Sequence, residues 1–143
     1  MSNCLIGKTI MEMKIADDRM AIKFSTTEGD VVARCDAECC SHTWIESVEL
    51  PANGFPCTVL SEEDLQLPDA AQDQYGDVIQ FYGVRLVTDK GYIVIDYRNE
   101  SNGYYGGYLV WPGDRGYYGG VYGQGISSEN WVGIKDASGE PQA

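Results

Sequence analysis

Lysine and arginine are absent between Arg34 and Arg85, a stretch that holds Asp36, Glu38, Glu46, Glu49, Glu62, Glu63, Asp64, Asp69, Asp73 and Asp77. Phosphate binding needs cations, so free nucleic acid is not an expected partner of this wholly acidic middle. Basic residues are scarce throughout, 10 against 22 acidic ones, for a formal net charge of −12. Histidine occurs once, at His42, so any histidine-dependent catalysis must use it with a cysteine nucleophile. No nucleophile elbow and no recognisable orienting carboxylate completes such a constellation, so no enzymatic activity is expected, with a catalytic role for Cys39, Cys40 and His42 as the alternative. Long apolar runs are also lacking. Met1 to Met13 holds only Leu5, Ile6, Ile10 and Met11 between polar residues, too broken for a signal peptide or a membrane span. A cytoplasmic location without membrane contact is expected. Gly7-Lys8-Thr9 ends like a phosphate-binding loop, but Ser2 stands where that loop needs its first glycine.

With 143 residues, the chain can bury a core without metal or disulfides, which points to one domain over 1–135 and a loose polar tail over 136–143. The fold class expected is mainly β, a β-rich α+β arrangement of an antiparallel meander and hairpins with a Tyr/Gly-rich β-arm region. Thr9 to Ala16 alternates apolar and polar residues with one irregularity at Met11, Asp17-Asp18 turn, and Met20 to Ser25 alternates again. Thr27-Glu28-Gly29-Asp30 supplies the glycine of a tight turn before a third strand, Val31 to Cys35. Between Asp36 and Tyr75 the pattern loosens. A short helical turn is expected at His42 to Ser47 and one further strand at Thr58 to Leu60, among breakers at Pro51, Asn53-Gly54, Pro56 and Pro68. A second hairpin, Val78 to Thr88 and Tyr92 to Tyr97 about Asp89-Lys90-Gly91, is expected in the middle of the sheet. Gly103-Tyr104-Tyr105-Gly106-Gly107 recurs as Gly116-Tyr117-Tyr118-Gly119-Gly120, and reads as two hairpin arms around Tyr108 to Trp111. Ser127 or Ser128 is expected to cap a last turn carrying Trp131.

Three regions are candidates for activity. Cys35, Cys39, Cys40 and His42 have the side chains that zinc prefers, and Cys57 could add a fourth ligand. They form one crowded group rather than two short pairs, so buried thiols are the favoured reading and no cofactor is expected, with zinc as the alternative. The odd set of five cysteines fits free thiols in a reducing compartment. The second region is the tyrosine arms, where Arg98, Asn99, Asn102, Tyr104, Tyr105, Tyr108, Arg115, Tyr117 and Tyr118 could stack a base or grip a partner. The alternative is that these rings simply fill a tight β-arm. The third is the acidic stretch, with Glu62, Glu63, Asp64, Asp69, Asp73 and Asp77 as a face for a basic protein surface, or else as a solvated face that maintains solubility.

Three segments together resemble a family of small uncharacterised proteins of tailed phages and prophages, known only as a domain of unknown function. They are Leu5-Ile6-Gly7-Lys8-Thr9-Ile10, Cys39-Cys40-Ser41-His42-Thr43-Trp44-Ile45-Glu46, and Tyr97-Arg98-Asn99-Glu100-Ser101-Asn102-Gly103-Tyr104-Tyr105-Gly106-Gly107. The resemblance spans residue 5 to about residue 110 and implies origin, not mechanism. The function expected is that of an acidic, non-enzymatic phage-type binding protein that blocks a bacterial target, such as a defence or nucleic-acid-handling complex, in the host cytoplasm. Sequestration of a small nucleotide by an aromatic cleft is the alternative, a virion component the weaker one, and association with a second copy is left open.

Overall fold

The computed structural model describes residues 4–37, 41–65, 71–72, 78–101, 107–113, 127–135 and 140–141. Every regular element among them is a strand. In chain order these are β1 (Thr9–Ala16), β2 (Ala21–Thr26), β3 (Gly29–Ala37), β4 (His42–Glu49), β5 (Cys57–Leu65), β6 (Ala71–Gln72), β7 (Val78–Thr88), β8 (Gly91–Ser101), β9 (Gly107–Val110), β10 (Trp131–Lys135) and β11 (Glu140–Pro141).

Alternation is the local cause of the strands, because successive side chains point to opposite faces and only one face is dry. In β1, Ile10, Met13 and Ile15 are buried, and the irregularity at Met11 is a β-bulge that shifts the register against β2 between Ile10 and Glu12. Met11 is pushed out to solvent there. β2 and β3 complete the expected meander with Ile22, Phe24, Val31, Ala33 and Cys35 turned inward. The hairpin turns after β2 and β7 share one chemistry. Gly29 and Gly91 adopt φ of 108° and 118°, and the preceding Thr26 and Thr88 hydroxyls each donate 2.6 Å to the carbonyl of that glycine. The recurring Thr-x-x-Gly is therefore the hairpin signal of this chain, with glycine at the position where a β-carbon would be strained.

The strands form one antiparallel sheet in the order β4-β8-β7-β5-β1-β2-β3-β9, with β10 alongside β1, β11 alongside β10 and β6 alongside β7. β7 and β8 are interior strands, as expected. β5 joins the two halves: Cys57 and Thr58 pair with β1, and after a bulge at Leu60 the strand follows β7 as far as Leu65. The sheet curls so that β9 lies against β8 and β4. Its core runs from Leu5 through Phe24 and Ile45 to Leu86, Ile93, Leu109 and Trp111, with Phe24 and Trp111 stacked at 5.6 Å.

Two expectations are corrected. His42 to Ser47 is strand, not helix, because Thr43, Ile45 and Val48 face the core across a bulge at Glu46 that breaks the simple alternation. Trp131 opens a strand rather than riding on a capped turn, although Ser127 Oγ does accept the Glu129 N–H at 3.1 Å. Glu140 and Pro141, within the expected tail, pair with β10.

The curl of the sheet brings its edge strand β4 against Arg19, in the β1–β2 turn. Its carbonyl accepts the Ile45 N–H at 2.8 Å. Its guanidinium donates from Nε to the Ile45 carbonyl at 2.8 Å and from Nη2 to the Glu46 carbonyl. The outer edge of β4 is thereby occupied at its bulge, where an open edge would template pairing with another chain.

Candidate functional site: the paired motif strands β4 and β8

β4 and β8 pair antiparallel with His42 opposite Glu100, Thr43 opposite Asn99, Trp44 opposite Arg98 and Ile45 opposite Tyr97. Two motifs more than fifty residues apart in the chain become adjacent strands. Alternation then sorts their residues onto two faces, one inward and one outward.

The inward set is polar as well as apolar. Thr43 and Asn99 are fully buried and Ser101 nearly so, and Asp36 on the neighbouring β3 is also buried. Thr43 Oγ1 donates to Asn99 Oδ1 at 2.9 Å, and Asp36 Oδ1 accepts the Ala37 N–H at 2.9 Å. Gly107, at the start of β9, lies directly on this group. A β-carbon there would fall 1.7 Å from Thr43 Oγ1, 2.7 Å from Asn99 Oδ1 and 2.9 Å from the Asp36 carbonyl oxygen. A buried polar cluster is tolerated only where its hydrogen bonds are made, so it restricts how β3, β4, β8 and β9 can pack.

The outward set forms a cross-strand row of Trp44, Arg98 and Phe81 on β4, β8 and β7. The Arg98 guanidinium lies 4.7 Å from the Phe81 ring centroid, a cation–π geometry. Its Nη1 is 3.9 Å from Glu46 Oε1 and its Nη2 3.7 Å from Asp96 Oδ2. Trp44 Nε1 donates to Glu46 Oε1 at 3.0 Å, and the His42 ring stacks on Trp44 at 5.7 Å. Asp96 Oδ1 and Arg98 Nε are shielded from solvent and have no hydrogen-bond partner among the described residues. A parallel arrangement lies further along the sheet, where Arg85 sits 4.7 Å over Tyr92 and donates to Glu63 at 2.7 Å.

Asp96 and Asp18 respond oppositely to protons. Burial pushes the Asp96 carboxyl up; Arg98 pulls it back and nearby Glu46 pushes it further up. Asp18 is also pushed up by partial burial, but hydrogen bonds from the Ser128 and Met20 N–H groups and the Ser127 hydroxyl outweigh this and hold it below the usual carboxylate range. A raised folded value means that acidification through it, towards the unfolded value, adds stability. A depressed one means stability that is complete above the unfolded value and lost as pH falls through the folded one. Asp96→Asn is therefore expected to raise stability at neutral pH and Asp18→Asn to lower it, in urea unfolding from pH 7 to pH 3. Equal losses in both variants at pH 7 would contradict the assignment.

The sequence-derived candidates are dispersed. Arg98 and Asn99 are neighbours in the chain but face opposite sides of the sheet, and Tyr108 is half-buried on β9 against the core. Asn102, Tyr104, Tyr105, Arg115, Tyr117 and Tyr118 lie outside the described residues. Cys35 is buried in the core, where burial, with Asp18 and Asp36 nearby, pushes its thiol far above the usual range. His42 is exposed on the outer face, so Cys35 and His42 do not converge; Cys39 and Cys40 lie outside the described residues. Among the described residues no group of three His, Cys, Asp or Glu could hold a metal. Glu62, Glu63 and Asp64 lie on β5, with Glu63 paired to Arg85 and the other two opposite Leu86 and Val84; Asp69, Asp73 and Asp77 lie outside the described residues. Trp44, Phe81, Glu46 and Asp96 were not legible as a group, since only the register of three strands unites them.

The molecule is thus an all-β protein whose paired motif strands carry a buried polar cluster on one face and an aromatic–guanidinium row on the other. The chain belongs to the family described as a domain of unknown function, DUF7448, whose model matches residues 3–111. That span takes in both motif strands and ends at Trp111, a core residue. No curated protein and no solved structure matches the chain. Among the described residues, no helix is long and apolar enough to cross a membrane.

Proposed function

We propose that this chain is a non-enzymatic acidic binding protein that occupies a basic surface of a target protein, as a phage-type factor would to block a bacterial defence or nucleic-acid-handling complex. One observation carries the reading: each described arginine is already engaged within the chain. Arg19 donates to the Ile45 and Glu46 carbonyls, Arg34 pairs with Glu129, Arg85 with Glu63, and Arg98 lies between Glu46 and Asp96. The formal charge of −12 already counts every arginine and lysine, so with its described arginines held inside the chain the protein keeps an excess of carboxylates and a field that attracts cations. Such a field speeds encounter with a basic partner and suppresses binding of polyanions.

The alternative, an aromatic cleft for a nucleotide, gives Arg98 the task of meeting a phosphate. The carboxylates at 3.9 and 3.7 Å from its guanidinium weigh against that role, because they would repel the ligand. Affinity capture of the tagged full chain from bacterial lysate at low and high salt, read by mass spectrometry, tests the reading. A stoichiometric protein partner that is lost at high salt is expected. A bare protein, or one carrying only a nucleotide or zinc, would overturn it.

A further inference from the structure

We infer that the contact surface is the outer face of β4, β8 and β7 around the Trp44–Arg98–Phe81 row, and that it takes arginine side chains of the partner. The inference rests on the acidic-binding reading above and names the place and chemistry of the contact. Three features of that face favour a guanidinium. The first is aromatic surface: Trp44, Phe81 and Tyr92 lie on the outward side, with Tyr92 51% exposed, and Phe81 and Tyr92 each hold a guanidinium of this chain at 4.7 Å. These rings are thus suited to guanidinium stacking, and Trp44, whose ring stacks with His42, is the ring of the row that carries no arginine of this chain among the described residues. The second is charge: among the described residues, the carboxylates of Glu46, Glu49, Glu63, Asp96 and Glu100 share this face with two arginines, Arg85 and Arg98. The third is the shielded Asp96, whose Oδ1 has no hydrogen bond among the described residues and whose charge is only loosely matched by Arg98 at 3.7 Å. A partner's cation beside this part-exposed carboxylate adds a second counter-charge to the one that Arg98 supplies.

The other acidic group, Glu62 and Asp64 on β5, has no such aromatic neighbours on its register rows, which are Leu86 and Val84. It serves as the internal control. The probe is a short arginine-rich peptide titrated at low salt into the isotope-labelled full chain, followed by amide and indole N–H resonances. The expected result is a shift of the Trp44 indole signal, whose hydrogen bond to Glu46 lies in the row, together with the amides of Thr43 to Ile45 and Tyr97 to Asn99. Trp44→Ala and Phe81→Leu are each expected to weaken peptide binding about tenfold, with Glu62→Gln near neutral. Far-UV circular dichroism confirms that each variant is folded, and Glu46→Gln tests the same row without removing a ring. Binding that maps to β5, or that is indifferent to Trp44, Phe81 and Glu46, overturns this surface while leaving the acidic-binding reading in place. Absence of any response to the peptide at low salt overturns both.

Discussion

Gly107→Ala is expected to lower the stability of the domain by about 4 kcal/mol, combining overpacking with a buried hydrogen bond lost. The new β-carbon would sit 1.7 Å from Thr43 Oγ1, a distance that forces the hydroxyl to rotate away. Rotation forfeits the 2.9 Å bond to Asn99 inside a fully buried site. The Asp36 carbonyl at 2.9 Å has no such freedom, since Asp36 and Ala37 are held in the ladder with Tyr108 and Gly107. Urea unfolding of Gly107→Ala, Thr43→Ala and the double variant gives the coupling directly. Part of the loss should return in the double variant, because Thr43→Ala removes the nearest atom. A single variant within about 1 kcal/mol of the parent would mean that the close approach of β9 to the motif strands is not what holds this corner, because overpacking alone ordinarily costs that much or more.

Arg19→Ala is expected to cost about 3 kcal/mol, since hydrogen bonds from a charged donor are each worth about 1.5–3 kcal/mol. The residue has φ of 62°, a left-handed conformation that alanine tolerates no better than arginine. Arg19→Gly relieves that strain and is expected to recover about 1 kcal/mol relative to alanine. The remainder measures the guanidinium bonds to the Ile45 and Glu46 carbonyls. With those carbonyls unpaired, the edge of β4 is open, so the alanine variant should also associate at high concentration, seen by light scattering. Stability equal to the parent in both variants would show that the curled sheet closes without this clamp.

Gly107 lets β9 approach the inward face of the motif strands, and Arg19 ties their outer edge to the β1–β2 turn. Between them the strands β4 and β8 are held firmly enough to present Trp44 and Arg98 in a fixed row. Preorganised aromatic and guanidinium groups lose little entropy on binding, which is the physical advantage of placing a contact surface on strands rather than on loops.

Much of the strand pattern was legible in the sequence. The meander of β1 to β3, the irregularity at Met11, the β7–β8 hairpin and the turn glycine Gly29 follow from alternation and turn chemistry, which depend only on residues close in the chain. β4 was missed because its bulge at Glu46 interrupts the period of two, and the far end of β5 because Ser61-Glu62-Glu63-Asp64 has no apolar alternation to mark a strand.

The same distinction divides what the residues alone determined from what only the tertiary structure decided. Composition settled the acid excess and the lone histidine, and local alternation the predominance of strands, because these are properties of the chain without regard to distant partners. The pairing of the two motif strands, the separation of Arg98 from Asn99 onto opposite faces, and the matching of the basic-free stretch by Arg19, Arg85 and Arg98 were decided by sheet register. Register is a collective outcome of every strand burying its apolar side at once, and a shift of one residue exchanges the two faces.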